Sequence, residues 1–144
     1  MPQPLTIRLD ADALNAFLAR AFPAEARGNV AMAHVAEVRP GHARLHLDPG
    51  PANLRPGGIV SGPTLMALTD TAAYAVILAH IGEVAMAVTS SLTYHFLRGC
   101  EPMRLTADAE LLKLGRRLAV VDVRIWTGDE TRPVGQANVT YAIP

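Results

Sequence analysis

The longest regular pattern in the chain is an apolar stretch that predicts a buried helix over residues 61–80. Ser61 is a favourable N-cap, and Pro63 lies near the first turn, where a missing N–H group costs nothing. Gly82 follows the stretch as a stop signal. The interior is apolar on nearly every side, so we expect other elements to enclose this helix.

A shorter amphipathic pattern at 10–22 predicts a second helix, with Asp10 as its cap and Pro23 at its end. The remaining apolar or alternating segments predict six strands, at 30–38, 42–48, 84–97, 103–112, 117–126 and 134–142. In the second strand, three residues alternate with polar ones and are expected on one face: Ala43, Leu45 and Leu47.

Short turns join the last four predicted strands, which favours antiparallel pairing of consecutive strands. The strand at 84–97 would span roughly 45 Å, whereas the helix at 61–80 would be only about 28 Å long. Long strands, one apolar helix and no second helical layer favour an α+β fold in which the sheet curls around the helix. We expect one domain over 1–144, with an N-terminal helical segment at 1–25.

Composition and charge narrow the classes of function. The chain has 144 residues, of which 50% are hydrophobic, and its 13 basic residues balance 13 acidic ones. Zero net charge excludes a general nucleic-acid-binding protein. A neutral chain with so much apolar surface is expected to form a homo-oligomer.

Three further observations concern location and metals. The single Cys100 excludes an internal disulfide framework and a cysteine-rich zinc site, and the five histidines show no metal-ligand spacing. The first 23 residues lack the pattern of a secretory signal. Polar side chains such as Asp70 and His80 interrupt the apolar stretch, which argues against a membrane span. We therefore expect a cytoplasmic protein with no metal site and no membrane partner.

Asp70 is the first candidate for chemistry, because its helical neighbours include Met66, Ala67, Ala73 and Tyr74. A carboxylate on an apolar stripe is costly unless it is hydrogen-bonded or lies in a wet cleft. It could act as a general base or nucleophile. The alternative is a structural carboxylate bonded to a neighbouring threonine or strand, and the residues alone leave both open.

Gly62 is the second candidate, because free N–H groups and the positive end of the dipole lie at the start of a helix. They could hold an oxyanion, although ordinary capping by Ser61 would explain the same residues. Gly62 and Asp70 are eight residues apart, or about 12 Å along a helix, too far to flank one reacting carbon. If both act, they belong to different copies, at a two-fold interface.

The sequence resembles the hotdog-fold acyl-CoA thioesterases, particularly the phenylacetate-degradation (PaaI-type) branch. The resemblance is carried by the loop from Asn53 to Pro63, by Asp70 nine residues after Ser61, and by the runs 89–99 and 113–126. It extends over roughly residues 30–142. It implies a hotdog fold, a homodimer whose sheets join edge to edge, and pairing of dimers into a tetramer.

The resemblance also implies roles for individual residues. Asp70 matches the catalytic acid, and Gly62 matches the glycine whose N–H polarises the thioester carbonyl. The family has His-Gly-Gly where this chain has Ser61-Gly62-Pro63, and its asparagine stands where this chain has Arg55. Asn53, two residues earlier, and Ser61 are therefore kept as further catalytic candidates.

Substrate contacts are expected at the glycine-rich turn, in the strand after the helix and at two basic turns. The candidates are Gly58, Thr89, Ser90, Ser91, Arg98, Arg116 and Arg117. The arginines would bind the phosphates of coenzyme A, although charged turn residues are often simply solvated.

The function that the resemblance implies is hydrolysis of an acyl-CoA thioester to the free acid and coenzyme A. No cofactor is expected, since coenzyme A enters as part of the substrate. Two alternatives remain: a non-catalytic acyl-CoA-binding protein, which the missing family histidine would suit, and a hotdog enoyl-CoA hydratase or dehydratase.

Overall fold

The computed structural model describes residues 5–28 and 30–144, which form three helices, eight strands and a 3₁₀ turn at Pro51–Asn53. The helices are α1 (Ala11–Ala21), α2 (Ala24–Arg27) and α3 (Gly62–Ile81). The strands are β1 (His34–Arg39), β2 (His42–Leu47), β3 (Leu54–Arg55), β4 (Ile59–Val60), β5 (Val88–Phe96), β6 (Leu105–Leu114), β7 (Leu118–Trp126) and β8 (Gly135–Ala142). Residues 1–4 of the predicted N-terminal segment lie outside the described residues.

The long helix α3 forms where the apolar pattern predicts it. Ser61 caps its start by accepting a hydrogen bond from the Thr64 N–H group, and Gly82, with φ +92°, lies directly after its end. Every residue from 72 to 80 is buried. The helix has the length and mean hydropathy of a membrane span, but 67% of its most apolar window is buried inside the protein.

Six strands form one antiparallel sheet in the order β1-β2-β6-β7-β8-β5, and β3 pairs with β4 separately. The prediction that consecutive strands pair was wrong for β5, whose neighbour is β8 rather than β6. The segment after β5 does not form a hairpin, because it binds the loop before α3: the Cys100 carbonyl accepts a hydrogen bond from the Val60 N–H group. The chain thereby crosses from the sheet edge to its middle.

The prediction of one long strand at 84–97 was also wrong. Residues 82–87 turn instead, with Val84 N–H donating to the Gly82 carbonyl and Ala87 N–H to the Val84 carbonyl. The strand β5 that remains has 9 residues, about 30 Å of chain, and thus matches the length of the 20-residue helix α3. The first predicted strand likewise starts late, at His34.

The core lies between α3 and the concave face of the sheet. All six sheet strands contact α3, which requires the sheet to curve around the helix. Ala43, Leu45 and Leu47 face this core, as predicted. The α+β arrangement predicted from the sequence, a curved antiparallel sheet around one long helix, is therefore confirmed.

The N-terminal helix α1 packs beside this unit at strand β1. Asp10 caps it as predicted, by accepting a hydrogen bond from the Ala13 N–H group. The Asn15 side chain donates to the Val35 carbonyl and accepts from the Val35 N–H group, which fixes α1 to the sheet edge. The single turn of α2 after Pro23 was not predicted.

Candidate active site

A cavity of about 960 Å³ opens beside the N-terminal half of α3. This is near the upper end of the range of about 300–1,000 Å³ for ligand pockets. The helix lines it with a stripe at helical spacing: Pro63, Ala67, Asp70, Thr71 and Tyr74. The other walls are the connection between α1 and β1, the loop before α3, and the start of β5. Asp70, the first candidate predicted from the sequence, therefore lines a cavity large enough for a substrate.

Asp70 is half-buried at this wall, and two hydroxyl groups bind the same carboxylate oxygen. Thr89 Oγ1 donates to Asp70 Oδ1 at 2.6 Å, and the Tyr141 hydroxyl donates to the same atom at 2.8 Å. Within the described residues, Oδ2 accepts no hydrogen bond. The sequence left open whether this carboxylate is structural or chemical. The structure shows one oxygen held by two hydroxyl groups and the other without a hydrogen bond from the described residues.

Thr89 reaches Asp70 because β5 contains a bulge between Thr89 and Ser91. Thr89 lies opposite Tyr141 on β8, and both face the helix. The extra residue of a bulge changes which side chains face inward on either side of it. Ser90 donates to the Thr140 carbonyl and Ser91 is exposed, so only Thr89 of the three predicted hydroxyl contacts lines the cavity.

The start of α3 is held by a network of short polar contacts. Ser61 Oγ accepts from the Thr64 N–H group and contacts Thr64 Oγ1 at 2.9 Å. The buried Asn53 side chain accepts from the Gly50 N–H group and donates to Thr64 Oγ1, and the Asn53 carbonyl accepts from the Ser61 N–H group. Ser61 and Asn53 line the cavity, but their visible contacts fasten the loop to the helix.

Gly62 is the first residue of α3, and its position is close to Phe96 at the far end of β5. A Cβ at Gly62 would lie 3.3 Å from Phe96 Cε1, so the backbone and the aromatic ring are in contact. Asp70, by contrast, binds Thr89 near the beginning of β5. The regular helix keeps these two candidates about 12 Å apart, as predicted. A single copy therefore does not bring them together.

The predicted contacts for coenzyme A also divide between the two ends of the sheet. Arg116 and Arg117 precede β7, whose first residue aligns through Ala142 of β8 with the beginning of β5. Arg98 follows the end of β5. All three side chains are exposed, and none has an ion pair within the part of the chain that the structure describes. One copy cannot place all three around one ligand.

Gly58 lies in the turn between β3 and β4. Its φ of +73° suits glycine, and no atom lies within 4 Å of the place where a Cβ would be. The residue is exposed and does not line the cavity, so the structure gives it no substrate contact within one copy.

Sequence reasoning missed the wall formed by the connection between α1 and β1. Phe22, Arg27 and residues 30–33 line the cavity there, and Phe22 packs edge-on against Tyr74 with ring centroids 6.2 Å apart. Arg27 donates to the carbonyls of Phe22 and Val30, which fixes the shape of this connection. The segment has no periodic pattern, so only the three-dimensional fold reveals its part in the site.

Cys100 and the histidines lie away from the cavity. Burial raises the pKa of the Cys100 thiol to about 11, which suits an unreactive side chain. His95 lies opposite Gln136, on the sheet face that points away from α3. Within residues 5–28 and 30–144, no group of three histidine, cysteine, aspartate or glutamate side chains is placed to hold a metal ion.

Comparisons with known proteins identify the family. The sequence model of the thioesterase superfamily matches residues 57–134, more than half of the chain. A solved structure of a candidate thioesterase from Silicibacter sp. TM1040 is 38% identical, with a TM-score of 0.87, over 99% of this chain and 96% of that one. The chain belongs to the thioesterase superfamily. The superfamily is named for thioester hydrolysis, and a carboxylate at a large cavity suits that chemistry.

Two more distant structures agree in fold. A variant of a thioesterase from Pseudomonas aeruginosa is 20% identical, with a TM-score of 0.79, and the match covers 98% of each chain. A thioesterase-named protein from Streptococcus pneumoniae, solved with coenzyme A, is 24% identical, with a TM-score of 0.69, over 78% of this chain and 86% of that one. The hotdog fold expected from the resemblance is thereby confirmed. A search of curated proteins finds no match.

Proposed function

We propose that this thioesterase-superfamily protein hydrolyses acyl-CoA thioesters at a site shared by two copies of the chain. The observation that carries the proposal is the half-buried Asp70, which lines a large and mostly apolar cavity and whose Oδ2 accepts no hydrogen bond from the described residues. The phenylacetate-degradation branch remains the family branch that we favour.

The edge strand β5 supports pairing of two copies. It has a sheet neighbour on one side only, and large apolar side chains are exposed along and beside it: Met86, Val88, Phe96 and Leu97. A two-fold axis at this edge would run the two β5 strands antiparallel. One copy's Gly62 end would then meet the other copy's Asp70 end.

The same symmetry gathers the candidate coenzyme A contacts. Arg98 lies at the Gly62 end of β5, and Arg116 and Arg117 lie at the Asp70 end. Antiparallel pairing brings the Arg98 of one copy toward the turn of the other. Exposed arginines of this kind suit the phosphates of coenzyme A.

In the proposed reaction, the Gly62 N–H group and the positive end of α3 hold the thioester carbonyl oxygen. Asp70 of the other copy takes a proton from water, the water oxygen bonds to the carbonyl carbon, and the C–S bond breaks. The sulfur leaves with the bonding electrons and receives the proton, which gives the acid and the coenzyme A thiol.

Asp70 could instead attack as a nucleophile. Its Oδ2 would bond to the carbonyl carbon as the thiolate leaves, and water would then hydrolyse the resulting anhydride. Asn53, which lines the cavity and whose amide nitrogen has a second N–H group besides the one donated to Thr64 Oγ1, could assist Gly62 at the carbonyl oxygen. The acyl chain would lie between α3 and the wall formed by Phe22 and residues 30–33. The proposal needs no cofactor and suits a cytoplasmic protein.

The shared site is tested with hybrid dimers of two inactive variants. Asp70→Asn removes the carboxylate, and Gly62→Pro removes the N–H group. In a one-to-one mixture, half of the dimers are hybrids and each hybrid keeps one intact site, so thiol release should return to roughly a quarter of the wild-type rate. A mixture of Asp70→Asn with the double variant has no intact site and is the matched control.

Hybrids as inactive as their parents would overturn the shared site. If the wild-type protein binds acyl-CoA esters but releases no thiol over aryl, short-chain and long-chain substrates, the non-catalytic alternative is favoured. Conversion of enoyl-CoA substrates would instead favour the hydratase alternative, although no histidine of the described residues lines the cavity.

A further inference from the structure

Tyr141 and Thr89 form a pair of donors that the fold aims at one atom. They are direct cross-strand partners on β8 and β5, and both face α3. The Tyr141 hydroxyl lies 2.8 Å from Asp70 Oδ1 and 3.1 Å from the Asp70 backbone carbonyl oxygen. With Thr89 at 2.6 Å, Oδ1 is fixed from two strands, while Oδ2 keeps its lone pairs for another partner.

The phenol of Tyr141 is itself held rigidly. The residue is 3% exposed, and its ring packs against Tyr74 with the centroids 6.0 Å apart. Tyr74 is fixed in turn, because its hydroxyl donates to the Ala85 carbonyl. Burial raises the pKa of Tyr141 well above its ordinary value, so the hydroxyl remains a donor at neutral pH.

We infer that Tyr141 is a positioning residue that, together with Thr89, holds one oxygen of Asp70 and directs the other toward the thioester. The inference rests on the proposed function. A carboxylate rotates freely unless an oxygen is held, and reacting groups lose efficiency when they are misplaced by as little as 1 Å. Tyr141 lies beyond residues 57–134, the part of the chain that the superfamily model matches.

The test is Tyr141→Phe, which removes only the hydroxyl. We expect kcat for thiol release to fall roughly tenfold to a hundredfold with little change in KM, because binding of the acyl chain does not need the hydroxyl. The matched control is Tyr94→Phe on β5, whose buried hydroxyl has no hydrogen-bond partner within the described residues and which does not line the cavity. Its kcat should stay at the wild-type value.

A second pair of variants keeps the test informative if Tyr141→Phe folds poorly. Thr89 is exposed, so changes there should leave the fold intact. Thr89→Val should lower kcat as Tyr141→Phe does, whereas Thr89→Ser keeps the donor and should retain activity. If the hydroxyl had only a structural role, Thr89→Val would lower the melting temperature, but its kcat would equal that of Thr89→Ser.

The outcomes separate this inference from the proposed function. If Asp70→Asn abolishes activity while Tyr141→Phe and Thr89→Val keep kcat within twofold of wild type, the positioning role is wrong and the thioesterase stands. If the wild-type protein releases no thiol from any substrate, the proposed function fails and the inference fails with it.

Discussion

The two halves of α3 have similar apolar sequences but different surroundings. Residues 72–80 are all buried by the sheet and by α1, whereas the half before them leaves a stripe uncovered that includes Pro63, Met66 and Ala67. One sheet is therefore wide enough to enclose only part of the helix. The uncovered half lines the cavity and adjoins the proposed interface.

Asp70 and His80 show what this difference means for ionisable side chains. Both lie on α3, ten residues apart. His80 Nδ1 donates to the Val76 carbonyl at 2.7 Å, and its Nε2 accepts from the Gly41 N–H group at 2.9 Å, so both nitrogens are used. Asp70 lines the cavity, and its Oδ2 accepts no hydrogen bond from residues 5–28 and 30–144. A polar group on an apolar helix thus has a structural role where its bonds are complete, and it can react where they are not.

The largest effect is expected at Asp70, whose hydrogen bonds within the described residues are incomplete. Asp70→Asn keeps the shape of the side chain but removes the proton acceptor. We expect thiol release to fall by about 10²–10⁴ while the proposed dimer stays intact, as measured by steady-state kinetics and size-exclusion chromatography. A variant with full activity would mean that the carboxylate takes no part in the reaction.

The second largest effect is expected at Gly62, the first residue of α3. Gly62→Pro removes one N–H group, and the first helical turn tolerates proline because Ser61 before it already has an extended backbone with ψ 152°. We expect kcat to fall by about 10²–10³. Gly62→Ala keeps the N–H group and is the control; equal losses in both variants would indicate steric conflict with Phe96 instead.

In the enclosed half of α3, residues 72–80, a substitution should lower stability and leave activity unchanged. His80→Leu leaves the Gly41 N–H group without its partner, which should lower the free energy of unfolding by about 1–3 kcal/mol without lowering kcat. Urea denaturation and thiol-release assays measure the two effects. His34→Ala, at an exposed histidine, should change stability by at most about 0.5 kcal/mol. Loss of activity in His80→Leu without loss of stability would contradict the proposed difference between the two halves of α3.

The smallest effect is expected at the cap of α3. Ser61→Ala should lower the free energy of unfolding by about 1 kcal/mol, because an N-cap side chain is lost. Its effect on kcat should be well below that of Gly62→Pro. A fall in kcat by several orders of magnitude at unchanged stability would instead give Ser61 a chemical role. Thermal denaturation and kinetics of the same samples distinguish the two results.

Local chemistry explains what could be predicted from the sequence. A cap at Ser61, a stop at Gly82 and apolar residues on every side define α3 with no information about its partners. Asp70 is conspicuous because a carboxylate is costly in such surroundings. The same costs apply in the folded chain, so the helix was predicted correctly. Asp70 lines the cavity, and its part in the chemistry stays a prediction.

Pairing between distant segments explains the features that could not be predicted from the sequence. The turn after β5 is short enough for a hairpin, but its contact with the loop before α3 sends the chain elsewhere and gives β5 to β8. Only that pairing places Tyr141 opposite Thr89. The wall formed by Phe22, Arg27 and residues 30–33 depends on where α1 packs, and no periodic pattern in the sequence predicts that position. These features depend on contacts between distant segments, so local propensity does not determine them.

The bulge in β5 makes the strand sensitive to insertion and deletion. Before it, Thr89 faces the helix; after it, the inward positions are Leu92, Tyr94 and Phe96, which lie opposite buried positions of β8. Loss of one codon here would force the strand to keep either the hydroxyl or the three apolar side chains in place, but not both. Amino-acid exchanges should therefore be accepted in this strand far more readily than changes in its length.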